Sequence, residues 1–167
     1  MSLTVDPQPD DDAPLRLEQQ ILLDYRFVGG HFASTFFRVL LEEQRILGRR
    51  CPQGHVLVPP RPVCGLCNTE TDAWIEVGPT GRLAGFTVVY TPFTDPMTGE
   101  ERPVPYGFGL IQFDGADTSV YHLVDETDPR RLHVGLAVEP VWRDPEERTG
   151  SLADIRWFRP AAREERR

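Results

Sequence analysis

The sequence predicts a mainly β protein, in which an N-terminal helical segment leads into a rubredoxin-like zinc ribbon and then a five-stranded OB-fold barrel. Three observations predict it. All three cysteines fall in one short stretch, Cys51 to Cys67, at ligand-like spacing. Just before it, Phe32–Leu47 repeats apolar residues at helical intervals. From Gly81 onward the pattern turns to period two, in five runs parted by turn residues.

The first fourteen residues hold Asp6, Asp10, Asp11, Asp12 and three prolines, a composition that predicts disorder over 1–14. A helical segment is expected over 15–48. Within it Leu15–Val28 mixes apolar and polar residues until Gly29-Gly30 breaks the pattern. Phe32, Phe36, Val39, Leu40 and Leu47 then form one stripe, widened by Phe37, Leu41 and Ile46. Ser34 or His31 is the expected cap, and Gly48 the expected stop. So apolar a helix has two readings: it packs on its own barrel, or part of its stripe faces another subunit.

The knuckle is expected over 49–78. Its ligand-type residues space as C-x3-H-x8-C-x2-C, through Cys51, His55, Cys64 and Cys67. Two short ligand loops parted by a hairpin is the zinc-ribbon pattern, and Cys3His is an accepted structural set for zinc. Gly65 is the expected residue of the tight turn between Cys64 and Cys67. The first loop lacks a second cysteine, so three states stay open: zinc held with His55 as fourth ligand, a metal-free knuckle of three free thiols, or a Cys64–Cys67 disulfide. A closed four-ligand site is structural, because no position remains for a reacting water.

The barrel is expected over 79–159. Its strands read Leu83–Tyr90, Gly107–Phe113, Ser119–Val124, Ala137–Trp142 and Leu152–Phe158, with a long loop Thr91–Pro105 after the first. Asp125–Leu132 reads as a short polar helix or turn between the third and fourth strands, the order of an OB-fold. Pro140 inside the fourth strand demands an edge or a bulge. Residues 160–167 form a charged tail.

Composition narrows the function. The 167 residues are 40% hydrophobic, enough for one good core and a small appended module. No apolar run is long enough to cross a bilayer, and the acidic, proline-rich start does not read as a signal peptide; the expected compartment is the cytoplasm, with no membrane partner. Net charge is −8, which disfavours nucleic acid. All eighteen cations are arginine, and the four between Arg45 and Cys67 meet no acid there, so the knuckle is locally positive.

Taken together, these stretches resemble a known family. They are the aromatic helix ending Arg45-Ile46-Leu47-Gly48-Arg49-Arg50-Cys51, then Val58-Pro59-Pro60-Arg61-Pro62-Val63-Cys64-Gly65-Leu66-Cys67. Gly78-Pro79-Thr80-Gly81, Phe86-Thr87-Val88-Val89-Tyr90 and Leu132-His133-Val134-Gly135-Leu136-Ala137-Val138 follow. The chain is similar over Gly30 to Phe158 to the zinc-ribbon/OB-fold family first known as a domain of unknown function and now described as acyl-CoA-associated. The family usually shows four cysteines, and this chain departs from it at His55. The resemblance implies a non-catalytic accessory subunit of a thiolase-superfamily enzyme. Such partners include thiolases, acyltransferases and the retro-aldolases that shorten steroid-CoA side chains. It implies a CoA thioester as a ligand shared with that partner.

Independent chemistry is scarce in the sequence. It has no G-x-S-x-G elbow, phosphate loop or dinucleotide fingerprint. His122 alternates with Val120 and Val124 and reads as a hydrogen-bonded barrel residue; His133 belongs to the turn before Gly135. The carboxylate pairs Glu42-Glu43, Asp125-Glu126 and Glu146-Glu147 read as solvated charge. No catalytic residue is assigned. Docking is expected through the Phe32–Leu47 helix and the Thr91–Pro105 loop, with Arg49, Arg50 and Arg61 toward the CoA phosphates, since a guanidinium fork pairs with phosphate. The alternative is a single-stranded nucleic-acid-binding protein, with Phe86, Tyr90, Tyr106, Phe108 and Tyr121 as stacking rings. Against it, Pro105 to Tyr121 holds two acids and no base.

Overall fold

The computed structural model describes residues 28–94 and 101–161. The acidic N-terminal stretch, most of Leu15–Val28, the centre of the 91–105 loop with Met97, and nearly all of the charged C-terminal tail lie outside the described residues. Among those described, no helix is long and apolar enough to cross a membrane.

Among the described residues the first element is the one α-helix, α1 (Gly30–Glu43). It is shorter than the stripe predicts. Gln44 takes a left-handed conformation (φ 54°) and its N–H closes on the Leu40 carbonyl, which ends the helix. Ile46 and Leu47 instead begin β1 (Ile46–Arg50). Gly48 is therefore no helix stop. It lies mid-strand, where a Cβ would come within 2.8 Å of a Val56 methyl, so only glycine lets the neighbouring strand lie this close. Neither His31 nor Ser34 caps α1; Gly29 stands there without a side-chain bond.

β1 is the centre of a three-stranded antiparallel sheet, between β2 (Val56–Leu57) and β3 (Ala73–Val77). α1 packs on this sheet with Phe36 and Leu40 fully buried, in one core with Ile46, Val56, Val58 and Val77. Of the two readings of the helix, the stripe is largely covered by the chain itself. Leu41, 36% exposed, is the large apolar residue that remains open on it.

The same core runs without a break into the barrel. Five strands close it in the order β10-β8-β7-β4-β9: β4 (Gly81–Val89), β7 (Tyr106–Phe113), β8 (Ser119–Val124), β9 (Ala137–Trp142) and β10 (Ile155–Pro160). Alternation is strict on β7, where Gly107, Gly109, Ile111 and Phe113 face inward and Tyr106, Phe108, Leu110 and Gln112 outward. All contacts are antiparallel except β8 with β10, the parallel pair that closes the barrel. The last strand starts later than expected, because Leu152–Asp154 forms a single 3₁₀ turn, boxed by Ser151 and Asp154. The Asp125–Leu132 segment is a turn, not a helix, with the Arg131 N–H on the Asp128 carbonyl and Leu132 sunk into the core. Pro140 lies beyond the two-residue contact of β9 with β4, so its missing N–H leaves no ladder bond unmade. The described residues of the long loop pair as a small hairpin, β5 (Phe93–Thr94) and β6 (Glu101–Arg102).

His122 is buried inside the barrel, edge-on to Phe158 at 5.3 Å. Its Nδ1 accepts from the Leu123 N–H at 2.9 Å and its Nε2–H donates to the Leu152 carbonyl at 3.1 Å. This neutral tautomer suits the site, and burial holds its pKa below the usual imidazole value. The folded state thus binds a proton less readily than the unfolded chain. The stability this contributes is complete above about pH 6.5 and declines as pH falls below that value toward the folded pKa. Denaturant titrations should show a steeper acid-side loss for the wild type than for His122→Leu.

Candidate metal centre and the outer face of the barrel

The knuckle sets four ligand-type side chains on two backbone turns. The Cys51 N–H bonds the His55 carbonyl at 2.9 Å, and the Gly54 N–H bonds Cys51 at 2.8 Å. Across from it, the Cys64 N–H bonds Thr69 and the Asn68 N–H bonds Cys64, both at 2.8 Å. Asn68, with φ 58°, supplies the left-handed residue of this second turn. Gly65, expected in that role, does not adopt a positive φ.

The two turns bring Cys51, His55, Cys64 and Cys67 together, their ligand atoms all within 4.8 Å of one another. His55 Nδ1 lies 3.5 Å from Cys51 Sγ and 3.7 Å from Cys64 Sγ, and Cys51 Sγ lies 3.6 Å from Cys67 Sγ. A tetrahedral zinc with Zn–S near 2.3 Å and Zn–N near 2.0–2.1 Å has edges of about 3.5–3.8 Å. The donor set therefore fits zinc in both chemistry and spacing. The cysteines are not disulfide-bonded. The Thr69 hydroxyl, 3.0 Å from Cys67 Sγ, favours the thiolate and brings the Cys67 pKa down to about 6. The Cys67 and Cys51 sulfurs raise that of His55. Burial raises that of Cys64.

The three arginines do not act together. Arg49 is buried, with Nε on the Thr71 hydroxyl at 3.1 Å and Nη2 on the Thr71 carbonyl. Its guanidinium also lies over the rings of Phe32 (5.0 Å) and Trp74 (5.2 Å). It therefore ties α1 to the knuckle and is not placed to meet a phosphate, a correction to the expectation. Arg50 and Arg61 are exposed. Arg49→Ala should cost about 2–4 kcal/mol, because the charged hydrogen bonds and the cation–π stacking disappear together. Thermal denaturation would check it, with Arg49→Lys intermediate.

The outer face of β7 and β8 carries a second cluster. Tyr106, Phe108, Tyr121 and Trp157 line a groove of about 720 Å³ with Arg102, Arg143 and Arg156. Phe86 and Tyr90, the other expected rings, are exposed elsewhere on β4 and just beyond its end. These arginines escape a sequence reading confined to one stretch, 105–121. They come from β6, from just past β9 and from β10, and only barrel closure brings them beside the rings.

A helix on a Cys3His zinc ribbon, joined to a five-stranded barrel, defines a zinc-ribbon/OB-fold protein. Residues 38–71 match the ChsH2 rubredoxin-like zinc ribbon domain, and residues 74–143 match the ChsH2 C-terminal OB-fold domain. The chain belongs to this ChsH2 (DUF35) family. A DUF35 domain-containing scaffold protein of Pyrococcus furiosus is 29% identical over 110 residues, covering 66% of this chain and 77% of that protein. A chain of a structure described as an Ltp2-ChsH2(DUF35) aldolase superposes with TM-score 0.55 at 22% identity, over 82% of this chain and 100% of that one. A DUF35 protein of unknown function from Sulfolobus solfataricus gives TM-score 0.51 at 19% identity, over 75% of this chain and 81% of that one. At those identities the two structures establish the fold.

Proposed function

We propose that this chain is a non-catalytic accessory subunit in the cytoplasm. In this role it binds a thiolase-superfamily enzyme and helps form its acyl-CoA site, in steroid side-chain retro-aldol cleavage or another acyl-CoA degradation. The observation that carries the reading is the closed Cys3His cluster. With Cys51, His55, Cys64 and Cys67 all engaged, zinc here pins the finger and has no position left for a reacting group. The relatives support the reading, one described as a scaffold protein and one as part of an aldolase.

Docking then falls on what the fold leaves open and apolar. Tyr90, Phe93 and Val104 flank the β5–β6 hairpin, Val63 and Leu66 sit on the knuckle, and Leu41 marks the open edge of the helix. Arg50 and Arg61 remain the knuckle residues for the CoA phosphates. The helix, knuckle and barrel are three parts of one docking body; the first boundary falls at the end of α1 and not at 48/49, since β1 belongs to the knuckle's sheet, and the second falls near 78/79.

The test is affinity capture with the tagged full-length chain. A thiolase-superfamily enzyme should co-purify, and deletion of residues 92–104 should weaken that complex about tenfold or more while the barrel stays folded. Turnover of an acyl-CoA thioester by the lone chain, well above the buffer rate, would overturn the reading.

A further inference from the structure

The groove on the outer face of β7 and β8 has a chemistry of its own. The hairpin residues Phe93 and Arg102 border it on one side, and Arg143, Leu152 and Ala153 on the other. In an OB-fold this face, between the first and last connecting loops, is where ligands lie. Phe108 and Tyr121 are parallel within it, 4° apart in plane and 6.0 Å between centroids, and Tyr121 is 71% exposed. Two parallel rings, the outer one open to water and the other half-buried beneath it, are a platform on which a third flat ring can stack.

The charge around the platform has one sign. Among the described residues, no aspartate or glutamate lines the groove. Arg156 lies on β10, its guanidinium 5.2 Å from the Trp157 ring centroid. Arg143 is held by a 2.7 Å bond from Nε to the Ala153 carbonyl, and its Nη1 has only a 3.8 Å pairing with Glu147. The carboxylate of neighbouring Asp154 is buried and accepts the Thr149 and Gly150 N–H groups. In a chain of net charge −8, this is a confined positive site beside aromatic rings.

We propose that the groove binds a phosphorylated nucleoside, its base stacked on Tyr121 and its phosphates on Arg143 and Arg156. Rings that stack any base and guanidinium forks that pair with phosphate match the two halves of such a ligand. A compact ligand suits the site better than a strand. The volume is that of a small-molecule pocket, and the acidic remainder of the surface repels a long polyanion. The inference does not rest on the accessory-subunit reading, since it concerns what the lone chain binds.

Isothermal titration of the full-length chain with ADP tests it. Saturable one-to-one binding is expected. Tyr121→Ala, and Arg143→Ala combined with Arg156→Ala, should each weaken it about tenfold or more. Arg50→Ala with Arg61→Ala should leave it unchanged, which separates this site from the CoA contacts proposed on the knuckle. Circular dichroism of each variant confirms folding. Coenzyme A binding at least as tightly as ADP, and weakened by the same groove variants, upholds the proposal and names a nucleotide-bearing cofactor as the source; coenzyme A binding indifferent to them, with no ADP bound, overturns it. No saturable heat with either compound overturns it, as does ADP binding indifferent to the groove variants. An octathymidylate that binds more than tenfold tighter than ADP overturns it in favour of single-stranded nucleic acid.

Discussion

Cys64→Ser is expected to release bound zinc and unfold the finger between β1 and β3, the largest loss any single side chain here would cause. The finger has almost no apolar core of its own: Cys51, Leu57 and Cys64 are its buried cluster, with Cys67 packed against them. Structural zinc sites in small fingers contribute on the order of 10–16 kcal/mol of apparent binding free energy. A serine hydroxyl is a poor replacement for a thiolate, so most of that disappears. Elemental analysis should find one zinc per wild-type chain and none in the variant, with amide exchange protection lost over 51–72. Cys67→Ser should behave alike. A wild type without zinc, or a variant that keeps its protection, contradicts the assignment of these ligands.

Gly107→Ala is expected to destabilise the barrel by about 3 kcal/mol or more. A Cβ at this inward position of β7 would sit 2.3 Å from the Glu126 carbonyl oxygen and 2.6 Å from that of Val124. Both obstacles are backbone, so no side chain can swing aside, and β7 and β8 must part where they pair. For a chain of this size that is a drop of about 6–12 °C in the thermal midpoint. Gly85→Ala is the control: its nearest neighbour is a side-chain carbon at 3.9 Å, and the effect there should be small.

The barrel was legible because its signal is local. Ser119–Val124 and Ala137–Trp142 fall where their alternating apolar residues and flanking turns put them. The three cysteines were legible for the same reason, from their spacing, whereas His55 as fourth ligand was one of three open states until the fold brought its Nδ1 to 3.5 Å from Cys51 Sγ. The end of the helix was not. Ile46 and Leu47 satisfy a helical stripe and a strand equally well, and the deciding fact is the pairing of β1 with β3, a contact remote in sequence. The burial of Arg49 was illegible too: alternation counted from the buried Ile46 puts Arg49 on the opposite face of β1, and it is Phe32, Trp74 and Thr71, remote in sequence, that cover it there. The arginines of the groove were illegible for a different reason, since they converge only in three dimensions.

One small joint has a wider consequence. Val56 on β2, and Val58 just past its end, are sewn to the β7–β8 connection. The Asp117 carboxylate takes the Val56 N–H at 2.7 Å, and the Thr118 hydroxyl takes the Val58 N–H at 2.7 Å while giving its own proton to the Val58 carbonyl at 2.8 Å. The finger is thus no pendant on a hinge, and its tilt is inherited by the strands that carry the rings of the outer face. An enzyme that grips the fingertip would at the same moment aim that face, as a hand on a rudder turns the hull.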